Sequence, residues 1–437
     1  MDHLLETGIA RTRKPDSTAF WRSPRGWLSE KKLSRGFWIF FTAAFFFDFG
    51  FAVYFFLFNL YLLDLHFNER VMGLVGGALT LGSVVGTLPV GVLAQKIGLR
   101  PLLACCFVAA SLMGVLRATV MWEPAQIGLA FLAGLAMCIW GVCFLPAIAR
   151  LTTEENRASA FGLIFSVSIG TSALGGLMCG YLPQWLHMAG FVMSAAQVKR
   201  LILLSSCAIA ILGLVPVLKL QLPLQLDDPS SENKSELLKK SWRKTWRLHP
   251  FLLRFLPAMA LWTAVLASFT PFANVYLSRD LAIPLSKIGV IFSVAQVIQF
   301  CMGLLSPVIF RRFGLVNGIV ATQLATALAM ACLAGTHNRG LAVALYLTFS
   351  ATQWMSSPGL YNLLMSRVPD SERSSASAMT MFCNALLQSG ATAAAGILFV
   401  QFGYPRVLLG ITTLALTAAF LFKFLVAPTD RPIPAEA

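Results

Sequence analysis

Residues 37–63 read FWIFFTAAFFFDFGFAVYFFLFNLYLL, a stretch long and apolar enough to cross a lipid bilayer as one helix. Asp48 lies near its centre, where a charged side chain costs roughly 2.5–3.5 kcal/mol on membrane-insertion scales. Asn59 follows about three helical turns later, so both polar side chains share one face of the helix. We expect that face to line a water-filled path inside a helical bundle.

The whole chain has the composition of a membrane protein. It has 437 residues, of which 57% are hydrophobic and 12% charged, whereas soluble domains average about 25% charged residues. We therefore predict an all-α membrane protein with twelve transmembrane helices, each long enough to span. The predicted spans are 37–63, 70–94, 101–120, 125–149, 158–183, 200–220, 251–277, 286–310, 315–335, 340–364, 376–401 and 405–426.

One long hydrophilic interruption divides these spans into two groups of six. The predicted organisation is a basic tail (1–36), a six-helix half (37–220), a central loop (221–250), a second six-helix half (251–426) and a short tail (427–437). The central loop contains a basic amphipathic helix, which we expect to lie on the membrane surface. A docking site for a partner is the alternative.

The distribution of basic residues predicts the orientation. With the amino terminus inside, 26 of the 34 lysine and arginine residues fall in inner segments. This excess predicts a multi-pass protein of the cell membrane, in bacteria the inner membrane, with both termini cytoplasmic. It also explains the net charge of +15 without nucleic acid as a partner.

The two halves contain an internal repeat. Asn59-Leu60-Tyr61-Leu62 matches Asn274-Val275-Tyr276-Leu277, and Gly98 matches Gly314, at nearly the same offset. An even number of spans separates the copies, so both halves have the same orientation. Parallel six-helix halves with a binding site between them are one recognised architecture of membrane transporters.

The loop after the second span identifies a family. Residues 91–100 read GVLAQKIGLR, which resembles the signature loop of the major facilitator superfamily, and a decayed copy, FRRFG, occupies residues 310–314. The residues of this gating loop motif are Gly91, Gln95, Lys96, Gly98, Arg100, Arg311, Arg312 and Gly314. The family has an aspartate where Gln95 stands, and the resemblance implies that this aspartate helps to hold the inner gate, so we expect a weaker latch here.

The resemblance implies a twelve-helix secondary transporter that works by alternating access. Ala130 stands where the drug and proton antiporters of the family usually have an arginine, so the subfamily is not assigned. We expect transport of a small organic solute with proton coupling, efflux being favoured over uptake. A lipid or lysolipid flippase and a non-transporting sensor on the same fold are the alternatives.

Asp48 is the only one of the nineteen acidic residues that falls well inside a predicted span. Loss of hydration disfavours the charged form of a carboxyl group, so this side chain is suited to accept and release a proton. A counter-ion for a cationic substrate and a structural hydrogen bond between helices are the alternative interpretations.

Polar and tryptophan side chains on other spans predict the wall of a substrate cavity. Hydrogen bonds between helices, worth about 0.6 kcal/mol each, and core packing of the tryptophans are the alternatives. The predicted cavity residues are Asn59, Trp140, Trp262, Asn274, Gln296, Gln299, Gln353, Trp354, Asn384 and Gln388.

Enzymatic chemistry is not expected, because the sequence shows neither a nucleophile triad nor a cluster of metal ligands. The nine cysteines all fall in apolar runs and are interpreted as small buried hydrophobic residues. We expect a monomer in the bilayer that has no cofactor or metal and whose partners are its solute and protons.

Overall fold

A computed structural model describes residues 33–190, 193–221, 250–336, 338–369 and 373–426, which are almost entirely helical and contain no strand. Residues 1–32 of the predicted amino-terminal tail, nearly all of the amphipathic segment of the central loop and the carboxy-terminal tail lie outside the described part of the chain, and the last two residues of the predicted amino-terminal tail belong to the first helix.

The first half consists of six long helices. They are α1 (Arg35–Asp64), α2 (Glu69–Ile97), α3 (Leu99–Thr119), α4 (Glu123–Leu151), α5 (Glu154–Met188) and α6 (Ala195–Leu212), and a short helix, Leu214–Lys219, continues from α6.

The second half repeats this arrangement. Its helices are α7 (Pro250–Phe269), α8 (Leu285–Phe313), α9 (Leu315–Gly335), α10 (Arg339–Arg367), and α11 and α12, which together occupy Arg373–Leu421 and are divided at Gly403. Helix α7 continues through the 3-10 turn Thr270–Phe272 and the short helix Ala273–Val275 into the π-helical turn Tyr276–Asp280. Together the two halves contain the twelve predicted helices.

Length and hydropathy alone mark ten spans in the described residues, and one of these, Met379–Val426, contains both α11 and α12. Helix α10 is not among them. Its central residues 348–357 read TFSATQWMSS, and the hydroxyl and amide groups reduce its hydropathy. A polar helix of this kind must face other helices or water rather than lipid.

The tight turns confirm the internal repeat at the level of the backbone. Gly98, between α2 and α3, has a φ of 84°, and Gly314, between α8 and α9, has a φ of 80°. A residue with a Cβ atom is strained in this left-handed region, so glycine is required at both positions. Gly403, between α11 and α12, adopts the same kind of conformation with a φ of 75°.

The two halves pack together near one end of the bundle, where α1 ends and α2 begins. Gly73 of α2 lies against Gly396 of α11, and Gly176 of α5 lies against Gly289 of α8. We call this the closed end. Towards the other end of α5 the close contacts with the second half stop, because a Cβ atom at Gly162 or Gly170 would meet nothing within 4 Å, and we call that the open end.

Candidate functional site

Asp48 is held by side chains from two other helices of the first half. The Ser168 hydroxyl of α5 donates a hydrogen bond to Asp48 Oδ2 at 2.5 Å. The Trp140 side chain of α4 lies beside the same carboxyl group, where its indole N–H can donate. In the part of the chain that the structure describes, no lysine or arginine forms an ion pair with it. The carboxyl group is therefore stabilised by neutral donors.

Aromatic rings surround the Trp140 indole. Its ring centroid lies 4.5 Å from that of Phe47, 5.1 Å from that of Phe144 and 6.0 Å from that of Phe40. These contacts hold the indole in one orientation beside Asp48 and lower the local polarity. Trp140 is half-buried, so packing accounts for part of its surface and leaves part of it accessible.

Two predicted cavity glutamines connect α10 to its neighbours in the second half. Gln299 Nε2 of α8 donates to Ser350 Oγ at 2.6 Å. The Thr270 hydroxyl, at the end of α7, donates to Gln353 Oε1 at 3.4 Å. These contacts place amide groups at mid-depth in the second half, and each glutamine keeps further hydrogen-bonding capacity.

The two tryptophans predicted in the second half lie in different environments. Trp262 is 1% exposed, and its Nε1 donates to Ser356 Oγ at 3.1 Å, so it packs between α7 and α10. Trp354 is 49% exposed and lies beside Gly303 of α8. Of these two side chains, only Trp354 is accessible to a solute in this conformation.

The remaining predicted amides of the second half also differ in accessibility. Gln296 is half-buried and Gln388 is exposed. Asn384 has a buried Oδ1 atom without a hydrogen-bond partner among the described residues. A buried amide oxygen without a donor is unfavourable, so this position favours a donor from a ligand or water.

Asn59 and Asn274 form reciprocal hydrogen bonds between the halves. Asn59 Nδ2 donates to the Pro271 carbonyl at 2.7 Å, and Asn274 Nδ2 donates to the Phe56 carbonyl at 2.9 Å. The two asparagines occupy equivalent positions of the repeat, so their contacts follow the symmetry of the halves. In this conformation their amide groups join α1 to the end of α7, and their predicted role in binding substrate stays a prediction.

An ion pair at the closed end was not anticipated from the sequence. Arg279 lies 2.8 Å from both carboxylate oxygens of Glu69, and the Tyr404 hydroxyl donates to Glu69 Oε1 at 3.3 Å. The Glu69 side chain is 3% exposed, whereas that of Arg279 is 56% exposed. Both residues are at span ends that the twelve-helix topology puts on the same side of the membrane. This shared location is the only feature of the sequence from which the ion pair could have been predicted.

Two serines complete the closed end. Ser293 of α8 donates to the Ala173 carbonyl of α5 at 2.5 Å, and Ser389 of α11 donates to the Gly77 carbonyl of α2 at 2.7 Å. The two interfaces are related by the repeat. Each serine donates to a helix backbone of the opposite half, which glycine allows to approach closely.

The gating loop motif lies at the opposite ends of α2 and α8. Arg100 donates to the Leu218 carbonyl, which joins α3 to the short helix after α6. The Arg312 guanidinium lies 6.0 Å from the Phe313 ring centroid. Lys96 and Arg311 are exposed, and a Cβ atom at Gly91 would meet nothing within 4 Å. Gln95 is in helix α2, but its side chain is outside the described part of the structure.

A search of the described residues for three or more clustered histidine, cysteine, aspartate or glutamate side chains finds no group that could hold a metal ion. All nine cysteines are free thiols, five of them buried.

Comparison with protein families identifies the chain. The model of the Major Facilitator Superfamily matches residues 40–392. The chain belongs to this superfamily of membrane transporters. No curated protein sequence matches it significantly.

Solved structures confirm the twelve-helix fold. The chain is similar to a mutant of the nucleoside transporter NupG, with a TM-score of 0.75, 15% identity, and coverage of 89% of this chain and 99% of that one. It is also similar to a D-xylose–proton symporter, with a TM-score of 0.69, 14% identity, and coverage of 89% and 97%. A bacterial homolog of the human lysosomal transporter Spinster, in an inward-facing and unoccupied conformation, matches with a TM-score of 0.72, 14% identity, and coverage of 92% and 100%. These proteins are transporters rather than enzymes.

Proposed function

We propose that this protein is a proton-coupled secondary transporter of a small organic solute, with efflux favoured over uptake. The observation that carries the proposal is Asp48, a carboxyl group halfway along α1 that is held by Ser168 and by Trp140 without a cationic partner among the described residues. Such a group can exchange a proton without breaking an ion pair. One of the similar structures is itself a proton symporter.

The charge of the mid-depth side chains favours a neutral or cationic solute. Asp48 is the acidic group at this depth, and the polar residues of the second half are amides and hydroxyls such as Gln299, Ser350 and Gln353. Multiply anionic solutes generally require an arginine or lysine in the binding site. An accessible indole, Trp354, provides a surface for an apolar or aromatic part of the solute.

Alternating access assigns a role to the closed end. If the termini are cytoplasmic, as the basic residues predict, the closed end faces outwards and the structure is an inward-facing conformation. Opening outwards then requires the contacts that Asn59, Asn274 and Glu69 make between the halves to break. Rocking of two rigid halves around a central site accomplishes this in related architectures.

A thermal-shift screen tests the proposed function. Purified protein is heated with drugs, sugars, amino acids and lysolipids at two pH values, because a ligand that binds the folded state raises its melting temperature. We expect a neutral or cationic solute to stabilise the wild type with a pH dependence that Asp48→Asn abolishes. Stabilisation by lysolipids alone would support a flippase, and stabilisation that is independent of pH would contradict proton coupling.

The Glu69–Arg279 ion pair gives a prediction about the closed end. Glu69→Gln should weaken the closed conformation by about 1 kcal/mol, roughly fivefold in the equilibrium between conformations, because Arg279 is largely exposed and the pair is partly screened. Spin labels can be placed at His187 and Lys287, which are exposed on opposite halves at this end. The distribution of distances between the labels should contain a larger long-distance fraction in Glu69→Gln than in the wild type.

A matched control is available at the same end of the molecule. Lys199 and Asp64 form a 2.7 Å ion pair within the first half. Lys199→Gln removes this ion pair without touching the contact between the halves, so the label distances should stay as in the wild type. Equal opening in both variants would mean that the effect is general destabilisation rather than release of a latch.

A further inference from the structure

We infer that Ser168 and Trp140 are positioning residues that set the pH at which Asp48 exchanges its proton. The inference rests on the proposed proton coupling and specifies how this chain adjusts it. The contact between Ser168 Oγ and Asp48 Oδ2 joins α5 to α1, and Trp140 approaches the same carboxyl group from α4. Three helices therefore converge on one titratable group.

The hydrogen bond of Ser168 differs from those of its neighbours on α5. Serine in a helix commonly donates to the carbonyl of its own preceding turn. Ser166 does so to the Gly162 carbonyl at 2.7 Å, and Ser172 does so to the Ser168 carbonyl at 2.9 Å. Ser168 instead donates across to Asp48. The difference between similar residues on one helix indicates that the position of the carboxyl group determines this contact.

The two partners supply different hydrogen bonds. The indole N–H of Trp140 can only donate, so it favours a carboxyl oxygen that carries negative charge. The Ser168 hydroxyl can donate to the ionised group or accept from the protonated one. Trp140 thus stabilises the charged form, whereas Ser168 can hydrogen-bond to both forms and keep the side chain in place while the proton moves.

Other titratable groups on the helices around α1 are not ion-pair partners of Asp48 in the described structure. Lys199 pairs with Asp64 near the closed end, and the Arg117 guanidinium lies 4.1 Å from the Phe58 ring centroid. The titratable and charged groups on the elements packed against α1 are Glu123, Cys138, Cys143 and Arg150 on α4, Glu154, Glu155, Arg157, Cys179, Tyr181 and His187 on α5, Lys199, Arg200 and Cys207 on α6, Lys219 on the short helix, and Tyr276, Arg279 and Asp280 after α7. The two neutral donors are therefore the direct polar contacts of the carboxyl group.

Infrared titration of the purified full-length protein in proteoliposomes tests the inference without a substrate. The carbonyl stretch of protonated Asp48 is identified as the band that Asp48→Asn removes, and its intensity is followed against pH. Ser168→Ala should move the midpoint of this titration to higher pH by about one unit, because the hydrogen bond to the ionised form is stronger than that to the protonated form and its loss therefore costs more. Trp140→Phe should move it in the same direction while keeping the aromatic packing.

Two further variants separate positioning from a merely structural role. Ser168→Thr keeps the hydroxyl group and should restore the midpoint of the wild type. Ser172→Ala removes a hydroxyl that bonds only to its own helix, so the midpoint should not move. An unchanged midpoint in both Ser168→Ala and Trp140→Phe would overturn the inference.

The outcomes also distinguish this inference from the proposed function. If the titration midpoints shift as expected but transport does not depend on a proton gradient, the positioning role is retained and proton coupling is rejected. Proton-coupled transport with midpoints that do not shift would retain the function and reject the positioning role.

Discussion

Asp48→Asn is expected to abolish accumulation driven by a proton gradient while leaving solute binding and exchange intact. Asparagine has nearly the same size as aspartate, and its amide oxygen can still accept hydrogen bonds from Ser168 and from Trp140. The fold and the cavity should therefore persist. The variant cannot take up or release a proton, so the solute should equilibrate across the membrane instead of becoming concentrated.

The measurement uses proteoliposomes and a solute that stabilises the protein in the thermal-shift screen. Accumulation is compared with and without an imposed pH gradient, and exchange is measured as counterflow without a gradient. Asp64→Asn is the control, since Asp64 is on the same helix but pairs with Lys199 near the closed end. We expect the control to keep gradient-driven transport.

Three outcomes distinguish the interpretations of Asp48. Lost accumulation with preserved counterflow supports proton coupling. If Asp48→Asn loses binding of cationic solutes but not of neutral ones, Asp48 acts as a counter-ion. Wild-type accumulation in Asp48→Asn would leave only a structural role, and a lower melting temperature without a transport defect would support that role.

The fold could be predicted because a helix in lipid satisfies its own backbone hydrogen bonds. Each span is therefore specified by the length and polarity of a local stretch, and the repeat then specifies the arrangement of the halves. Gly98 and Gly314 show the strength of this information, since equivalent positions of the sequence have nearly the same φ angle in the structure. Even α10, which falls short by hydropathy, was predicted as a span from the length of its apolar run.

The contacts between the halves could not be predicted in the same way. Asn59 and Asn274 were predicted as cavity residues, and their partners in the structure are backbone carbonyls of the opposite half, which depend on how closely the halves approach. Glu69 and Arg279 are far apart in sequence and meet only at the closed end. Nothing in the sequence distinguishes Ser168 from its neighbouring serines, because its contact with Asp48 depends on tertiary packing.

Gly289→Val should prevent the closed end from forming while the two halves still fold. A Cβ atom at Gly289 would lie 2.3 Å from the Gly176 carbonyl oxygen and 3.0 Å from Gly180 Cα, and both are backbone atoms. Such atoms cannot move without moving α5. Since α5 and α8 belong to different halves, separation of the halves relieves the overlap, and we expect a shift of more than tenfold towards conformations that are open at this end.

Spin labels at Arg70 and Arg406 report this opening at the other interface, α2 with α11 and α12, away from the substitution. Both side chains are exposed at the closed end on opposite halves. The distance distribution should move to longer values, and counterflow should be lost because the protein no longer alternates between conformations. The melting temperature should change by only a few degrees, as the cores of the halves are untouched.

Two other glycines make this prediction specific. A Cβ atom at Gly134 would lie 1.9 Å from the Leu79 carbonyl oxygen, a contact of α4 with α2 inside the first half, so no rocking motion can relieve it. Gly134→Val should therefore destabilise the fold itself. A Cβ atom at Gly410 would meet nothing within 4 Å, and Gly410→Val should behave as the wild type in both measurements. If Gly289→Val lowered the melting temperature as Gly134→Val does, without lengthening the label distances, the closed end would be a fixed part of the fold, and alternating access through it would be ruled out.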